Sequence, residues 1–215
     1  ISGTLVTRYY NDDYSLLVRE VPAVDEEVFI LYGDDRYLGD RVFTSKEGGF
    51  QFPYLRAGEY TVYFESEDSL QNDREEHVFS YGVTLQRGKT HDMGELIRYE
   101  TLDFDDGSAV ISGIVKVVNY KNSTEWPNLE VKDITYAQEQ EVYLVYGDHA
   151  FYDERIRTGY DGYFAFRNLI PGDYTVYVYS EDVTGGTEDI AITREVTITG
   201  EDTVADVGEI MIEQL

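Results

Sequence analysis

The chain has 215 residues, 42% of them hydrophobic, enough for two domains of roughly 100 residues each with packed cores. Lys+Arg number 17 and Asp+Glu 43, a net charge of −26. A field of that sign repels phosphate backbones and anionic membrane surfaces, so no nucleic-acid partner is expected; the absence of Cys removes disulfides, zinc thiolates and thiol nucleophiles together.

Such a charge alone would suit a disordered chain, but 20 Tyr and 10 Phe belong to pleated, half-buried surfaces. No apolar run approaches the roughly 18 residues of a spanning helix, so direct membrane insertion by this segment is not expected. The chain opens at Ile1 without Met, inside a predicted strand. A signal peptide or lipid anchor can have been removed upstream, so its absence here is uninformative.

From the N terminus, ISGTLV at Ile1 is the first predicted strand. Residues Glu27–Asp68 end on GEYTVYFESED (Gly58–Asp68), and MGELI follows at Met93. The acidic stretch ETLDFDDGSA, Glu100–Ala109, reads as a linker. Every element then returns. ISGIVK at Ile111 answers ISGTLV, and VGEIM at Val207 answers MGELI. Glu141–Asp182 aligns with Glu27–Asp68 without a gap, with 19 identities in 42 positions. The starts differ by 110 and the ends by 114, which places an insertion in the first loop of the second copy, within Tyr120–Gln140. A period this long makes each copy a domain. The predicted organisation is a β-sandwich over residues 1–99, a linker over 100–109 and a second β-sandwich over 110–215.

In the second copy about seven strands are predicted: Ile111–Asn119, Glu141–Tyr146, Arg155–Thr158, Tyr163–Phe166, Tyr174–Ser180, Ile190–Thr199 and Asp206–Ile212. Turn signals separate them at the spacing of antiparallel sandwiches, and no long segment carries the 3.6-residue period of a helix. Alternation along a strand points Tyr60, Val62 and Phe64 inward, with Tyr174, Val176 and Val178 as their counterparts. Tyr63, Tyr177 and Tyr179 then point outward.

Thr158, Gly162, Phe164, Phe166, Leu169, Gly172, Tyr174, Thr175 and Val176 are matched by Thr44, Gly48, Phe50, Phe52, Leu55, Gly58, Tyr60, Thr61 and Val62. This run resembles the signature of carboxypeptidase-regulatory-like, transthyretin-like domains, which are similar to the B-type repeats of Gram-positive collagen adhesins and to starch-binding-like sandwiches. The resemblance covers nearly the whole chain, twice. It implies an all-β protein of two tandem seven-stranded antiparallel Greek-key sandwiches. It is specific for fold and says little of function, because such modules serve as stalks, docking units and glycan binders. The acidic, Tyr-rich style resembles surface lipoproteins of gut Bacteroidetes and implies an extracytoplasmic location at the cell surface, on an outer-membrane-anchored lipoprotein.

No catalytic constellation is legible. His77, His91 and His149 fall in no paired metal spacing, and no nucleophile motif is present. An intramolecular isopeptide bond, frequent in the adhesin repeats, would need Lys116 and an Asn on the last strand, and that strand has none. Calcium is the cofactor worth weighing, with Asp103, Asp105 and Asp106 of the linker as ligands and Asp34, Asp35, Asp148 and Asp153 at strand ends. The competing reading is that these acids keep the surface soluble. For recognition, the outward Tyr63, Tyr177 and Tyr179 and the lone Trp126 are the candidates, with Tyr9, Tyr10 and Tyr120 expected in or beside loops. They would anchor a protein or a glycan at the cell surface, or would simply suit solvated strands. The leading expectation is a non-catalytic surface spacer or adhesion unit; the alternative is a carbohydrate-binding module using the outward aromatics.

Overall fold

The computed structural model describes residues 1–33, 39–68 and 73–215. They fall into two compact units, Ile1–Leu102 and Asp103–Leu215. Both are all-β, and among the described residues no helix is long and apolar enough to cross a membrane. The first unit contains β1 (Ser2–Asn11), β2 (Leu17–Pro22), β3 (Glu27–Tyr32), β4 (Asp40–Phe43), β5 (Gly49–Gln51), β6 (Gly58–Asp68), β7 (Asp73–Leu85) and β8 (Asp92–Leu102). The second repeats the series as β9 (Ala109–Tyr120), β10 (Val131–Tyr136), β11 (Glu141–Tyr146), β12 (Glu154–Arg157), β13 (Tyr163–Leu169), β14 (Gly172–Ser180), β15 (Ile190–Ile198) and β16 (Val204–Gln214).

Each unit is a sandwich of two four-stranded sheets. In the first, β4-β3-β6-β7 form one sheet; β1 pairs with β2, β5 and β8 in the other. The second unit has the same arrangement in β12-β11-β14-β15 and in β9 with β10, β13 and β16. Leu5 of β1, Ile30 of β3, Val62 and Phe64 of β6 and Leu96 of β8 meet in one buried cluster, so the core of the first unit lies between its sheets. The inward alternation holds: Tyr60, Val62, Phe64, Tyr174, Val176 and Val178 are all buried. Removing the apolar surface of one such side chain from water contributes about 1.5–3 kcal/mol.

Two features differ from the predicted sandwich. Among the described residues each unit has eight strands, because Leu17–Pro22 and Val131–Tyr136 are strands as well. All six residues of β10 are exposed, so neither face carries the polar–apolar alternation by which a half-buried strand is read. The closing strands also run parallel to the opening ones, β8 beside β1 and β16 beside β9. Such long-range pairings leave no local signal. The insertion between the repeats lies in residues 121–130, between β9 and β10. Of the acidic stretch 100–109, residues 100–102 complete β8, and 103–108 lie on the second unit, where Gly107 N–H donates to Asn168 O (2.7 Å) and Phe104 O accepts from Ile170 N–H (3.0 Å).

The shared signature maps onto frame contacts. Gly48 and Gly162 both sit at φ +72°, where a Cβ would lie 2.2 Å from Leu5 O and 2.3 Å from Val115 O. Only glycine fits there. Buried Thr44 and Thr158 accept backbone N–H bonds from Glu26 (2.9 Å) and Gln140 (3.0 Å). The Tyr60 and Tyr174 hydroxyls donate to Arg56 O (2.7 Å) and Ile170 O (2.8 Å), which satisfies a polar tip inside an apolar layer. The serines of the repeated Ser-Glu-Asp are buried too, and their hydroxyls accept from Tyr99 N–H (2.7 Å) and Glu213 N–H (2.8 Å). Those bonds tie β6 to β8 and β14 to β16, across the two sheets.

Candidate functional site

The outer face of β12-β11-β14-β15 carries the densest aromatic group. In β11, Val142, Leu144 and Tyr146 face the core, which turns Glu141, Tyr143 and Val145 outward. In β14, Tyr174, Val176 and Val178 face inward, which turns Thr175, Tyr177 and Tyr179 outward. Tyr143 and Tyr177 are direct cross-strand partners, and their rings stack with centroids 4.9 Å apart and planes within 7°. Tyr179 stands edge-on to both, at 5.6 Å from Tyr143 and 5.5 Å from Tyr177. Tyr152, from the β11–β12 loop, meets Tyr143 at 5.2 Å and 65°. Each such ring pair contributes about 0.5–1.5 kcal/mol beyond its buried area, so the group is held in one arrangement.

The same loop supplies Ala150 and Phe151. With Tyr143, Val145, Tyr152, Tyr177 and Tyr179 they line an open groove of about 410 Å³. Asp153 shapes the loop: one carboxylate oxygen accepts from Tyr146 N–H (2.7 Å) and the other lies 2.8 Å from His149 Nδ1. The rim is polar. The Tyr143 hydroxyl donates to Glu141 Oε2 at 2.7 Å, while Arg155 and Arg157 approach Glu141 Oε1 at 3.2 and 3.3 Å. The Tyr143 hydroxyl, followed by the two arginines, holds the Glu141 carboxyl below its ordinary range. That hydrogen bond raises the Tyr143 phenol in turn. Burial among its neighbours, above all, raises the Tyr177 phenol. Near neutral pH the groove therefore presents neutral hydroxyls beside a self-paired ionic rim.

Of the residues singled out in the sequence, Tyr177 and Tyr179 lie together in this groove. Tyr63 occupies the corresponding place in the first unit and stacks on Phe29 at 4.9 Å. Trp126 is 59% exposed in the β9–β10 loop, on the other sheet's connection and apart from the groove lining. Tyr9 and Tyr10 lie near the end of β1 and Tyr120 is the last residue of β9, beside the loops that follow. Tyr9 carries Arg19 over its ring at 4.8 Å, Tyr10 packs on Tyr14 and Tyr99, and Tyr120 donates to Glu213. Lys116 pairs with Glu209 of β16.

Asp103, Asp105 and Asp106 are not drawn into one coordination shell. Asp106 instead closes a local turn, accepting from Asp103 N–H at 2.9 Å. Among the described residues no group of three or more His, Cys, Asp or Glu side chains is placed to hold a metal ion. Asp34 and Asp35 lie outside the described residues. Tyr143, Phe151 and Tyr152 escaped sequence reasoning. Tyr143 was legible in principle, because alternation in EVYLVY turns it outward opposite Tyr177; the other two depend on the path of a loop.

A family model described as polysaccharide lyase family 4, domain II, matches residues 130–203, a stretch that contains the whole groove. No curated protein matches the chain. Among solved structures, the minor pilin of Streptococcus agalactiae is similar over 99% of this chain and 96% of its own, at 12% identity and a TM-score of 0.33. A streptococcal ancillary pilin is similar at 12% identity and 0.31, and the chain spans 62% of its length. A putative carbohydrate binding protein from Pseudomonas aeruginosa is similar over 51% of this chain and 90% of its own, at 15% identity and 0.28. These are likenesses of fold.

Proposed function

We propose that the chain is a non-catalytic, extracytoplasmic surface module of the carboxypeptidase-regulatory-like kind. In this reading the first sandwich serves as spacer and the second displays a recognition surface on its outer tyrosine face. One observation carries the reading: Tyr143, Tyr152, Tyr177 and Tyr179 are locked against one another around an open groove, so little conformational entropy remains to be lost on binding. Many residues common to both repeats serve the frame. Gly48 and Gly162 fit a close backbone approach, while Thr158, Tyr174 and Ser180 bond backbone groups. The display varies in part: Glu27, Arg41 and Tyr63 repeat Glu141, Arg155 and Tyr177, while Glu65 stands in place of Tyr179.

The test is a backbone-amide NMR titration of the full chain against a mixed panel of extracellular-matrix proteins and oligosaccharides. At least one class is expected to move signals of β11, β14 and the 147–153 loop. Silence on that face across the panel would overturn the proposal.

A further inference from the structure

Resting on that reading, we infer that the groove of the second sandwich takes an uncharged glycan chain, with sugar rings stacked on Tyr179 and Phe151 and their hydroxyls met by the phenols and by the Glu141–Arg155 rim. A pyranose ring has an apolar C–H face and a hydroxyl edge. The groove offers the matching pair: aromatic faces, bordered by phenol oxygens and by an ionic pair holding both donors and acceptors.

Charge decides against an acidic polymer. The chain carries −26, and both arginines at this rim already face Glu141. Neither is committed to a ligand carboxylate or sulfate, and the protein field opposes an anion. A neutral chain meets neither cost.

Size favours a small ligand over a protein seated on the exposed rings alone. Phe151, Tyr152 and Tyr179 are 84%, 47% and 42% exposed. At about 150–250 Å² for each aromatic side chain, they offer roughly 350 Å², under half of the ~800 Å² per partner in a standard protein interface. The groove volume of about 410 Å³ suits a ligand of small-molecule dimensions instead. Its open sides let a longer chain run through. On β15, Ala191 is the register partner of Tyr179, so no large side chain there covers that ring.

The first sandwich supplies an internal control. It keeps the stacked pair Phe29–Tyr63, but Glu65 stands on β6 where Tyr179 stands on β14.

The experiment is calorimetric titration of the full chain with cellohexaose, xylohexaose, maltohexaose and polygalacturonate, with fold integrity checked by thermal unfolding. At least one neutral hexasaccharide is expected to bind saturably. Tyr179→Ala is expected to weaken that binding tenfold or more, Tyr179→Phe to stay within about threefold because the stacking face is kept, and Tyr63→Ala to leave it unchanged. Polygalacturonate is expected to bind more weakly than the neutral ligand. Absence of saturable binding by all three neutral ligands, or binding indifferent to Tyr179→Ala, would overturn the inference. If a protein of the mixed panel still moves the β11–β14 face, the glycan assignment alone falls. If nothing moves it, the module reading falls too.

Discussion

In the first repeat, a guanidinium closes the end of the sandwich where β1 and β8 pair; in the second repeat, isoleucine does. Arg98 of β8 has a side chain only 8% exposed, pairs with Glu100, lies 3.7 Å from both Glu26 and Glu76, and donates to Glu65 O at 3.2 Å. Its register partner on β1 is the buried Thr7. The equivalent pair in the second repeat is Ile212 with Val117, both buried. Two of the three paired acids change with the cation, Gln140 for Glu26 and Gln214 for Glu100, while Asp189 stands by register where Glu76 does. A buried charge is tolerable only with its partners. Glu65 meets Arg98 through its main-chain oxygen, so the outward Tyr179 at the equivalent place is a change independent of the buried exchange. The frame was copied, with a charged closure in one repeat and an apolar closure in the other.

The largest expected effect comes from undoing that exchange. Ile212→Arg puts a guanidinium into an apolar closure where Gln140 and Gln214 stand in place of two acids and Asp189 stays nearby, and is expected to destabilise the second repeat by about 3–5 kcal/mol in urea unfolding. Adding Gln140→Glu and Gln214→Glu should recover part of the loss. Arg98→Ala is expected to cost the first repeat about 2–3 kcal/mol, less than a fully buried pair, because its acids remain partly solvated. Equal costs for the two single changes, or no recovery in the triple variant, would break the comparison.

The shared frame should respond alike in both halves. Gly48→Ala and Gly162→Ala each force a side chain into the left-handed region and against a carbonyl. Each is expected to cost about 2 kcal/mol or more, with the two values close to one another.

A smaller effect is pH-dependent. Burial, above all, raises the Tyr174 phenol above its ordinary value of 10. The native state therefore keeps a proton that the unfolded chain releases above pH 10. The associated stability is present below pH 10 and is lost as pH climbs beyond it. Tyr174→Phe is expected to cost about 1 kcal/mol at neutral pH through the lost bond to Ile170 O, and to flatten the alkaline decline of the second repeat. An undiminished decline in the variant would contradict this account. The smallest effect is expected from calcium. Melting temperature in millimolar calcium should match that in EDTA, since an ion bound to the native state alone would have to raise it.

The repeat and its core were readable because burial writes a period of two into a strand, as in Tyr174, Val176 and Val178. The same period turns Tyr177 and Tyr179 outward. What stayed hidden was non-local. β10 buries neither face and so has no pattern to read. Besides Glu100 two residues away, the Arg98 network draws on Glu26, Glu65 and Glu76, distant in the chain and joined only by the fold. Tyr152 reaches Tyr143 by a loop whose path is set by Gly147 at φ +56° and by the Asp153 clamp, neither of which announces a ring contact in sequence.

The most direct test follows both repeats in one tube. Backbone amides of the full chain are assigned and titrated with the neutral hexasaccharides. The account predicts saturable shifts in β11, β14 and the 147–153 loop, with β3 and β6 unmoved. Shifts shared equally by Phe29 and Tyr63, or none in either repeat, would contradict it.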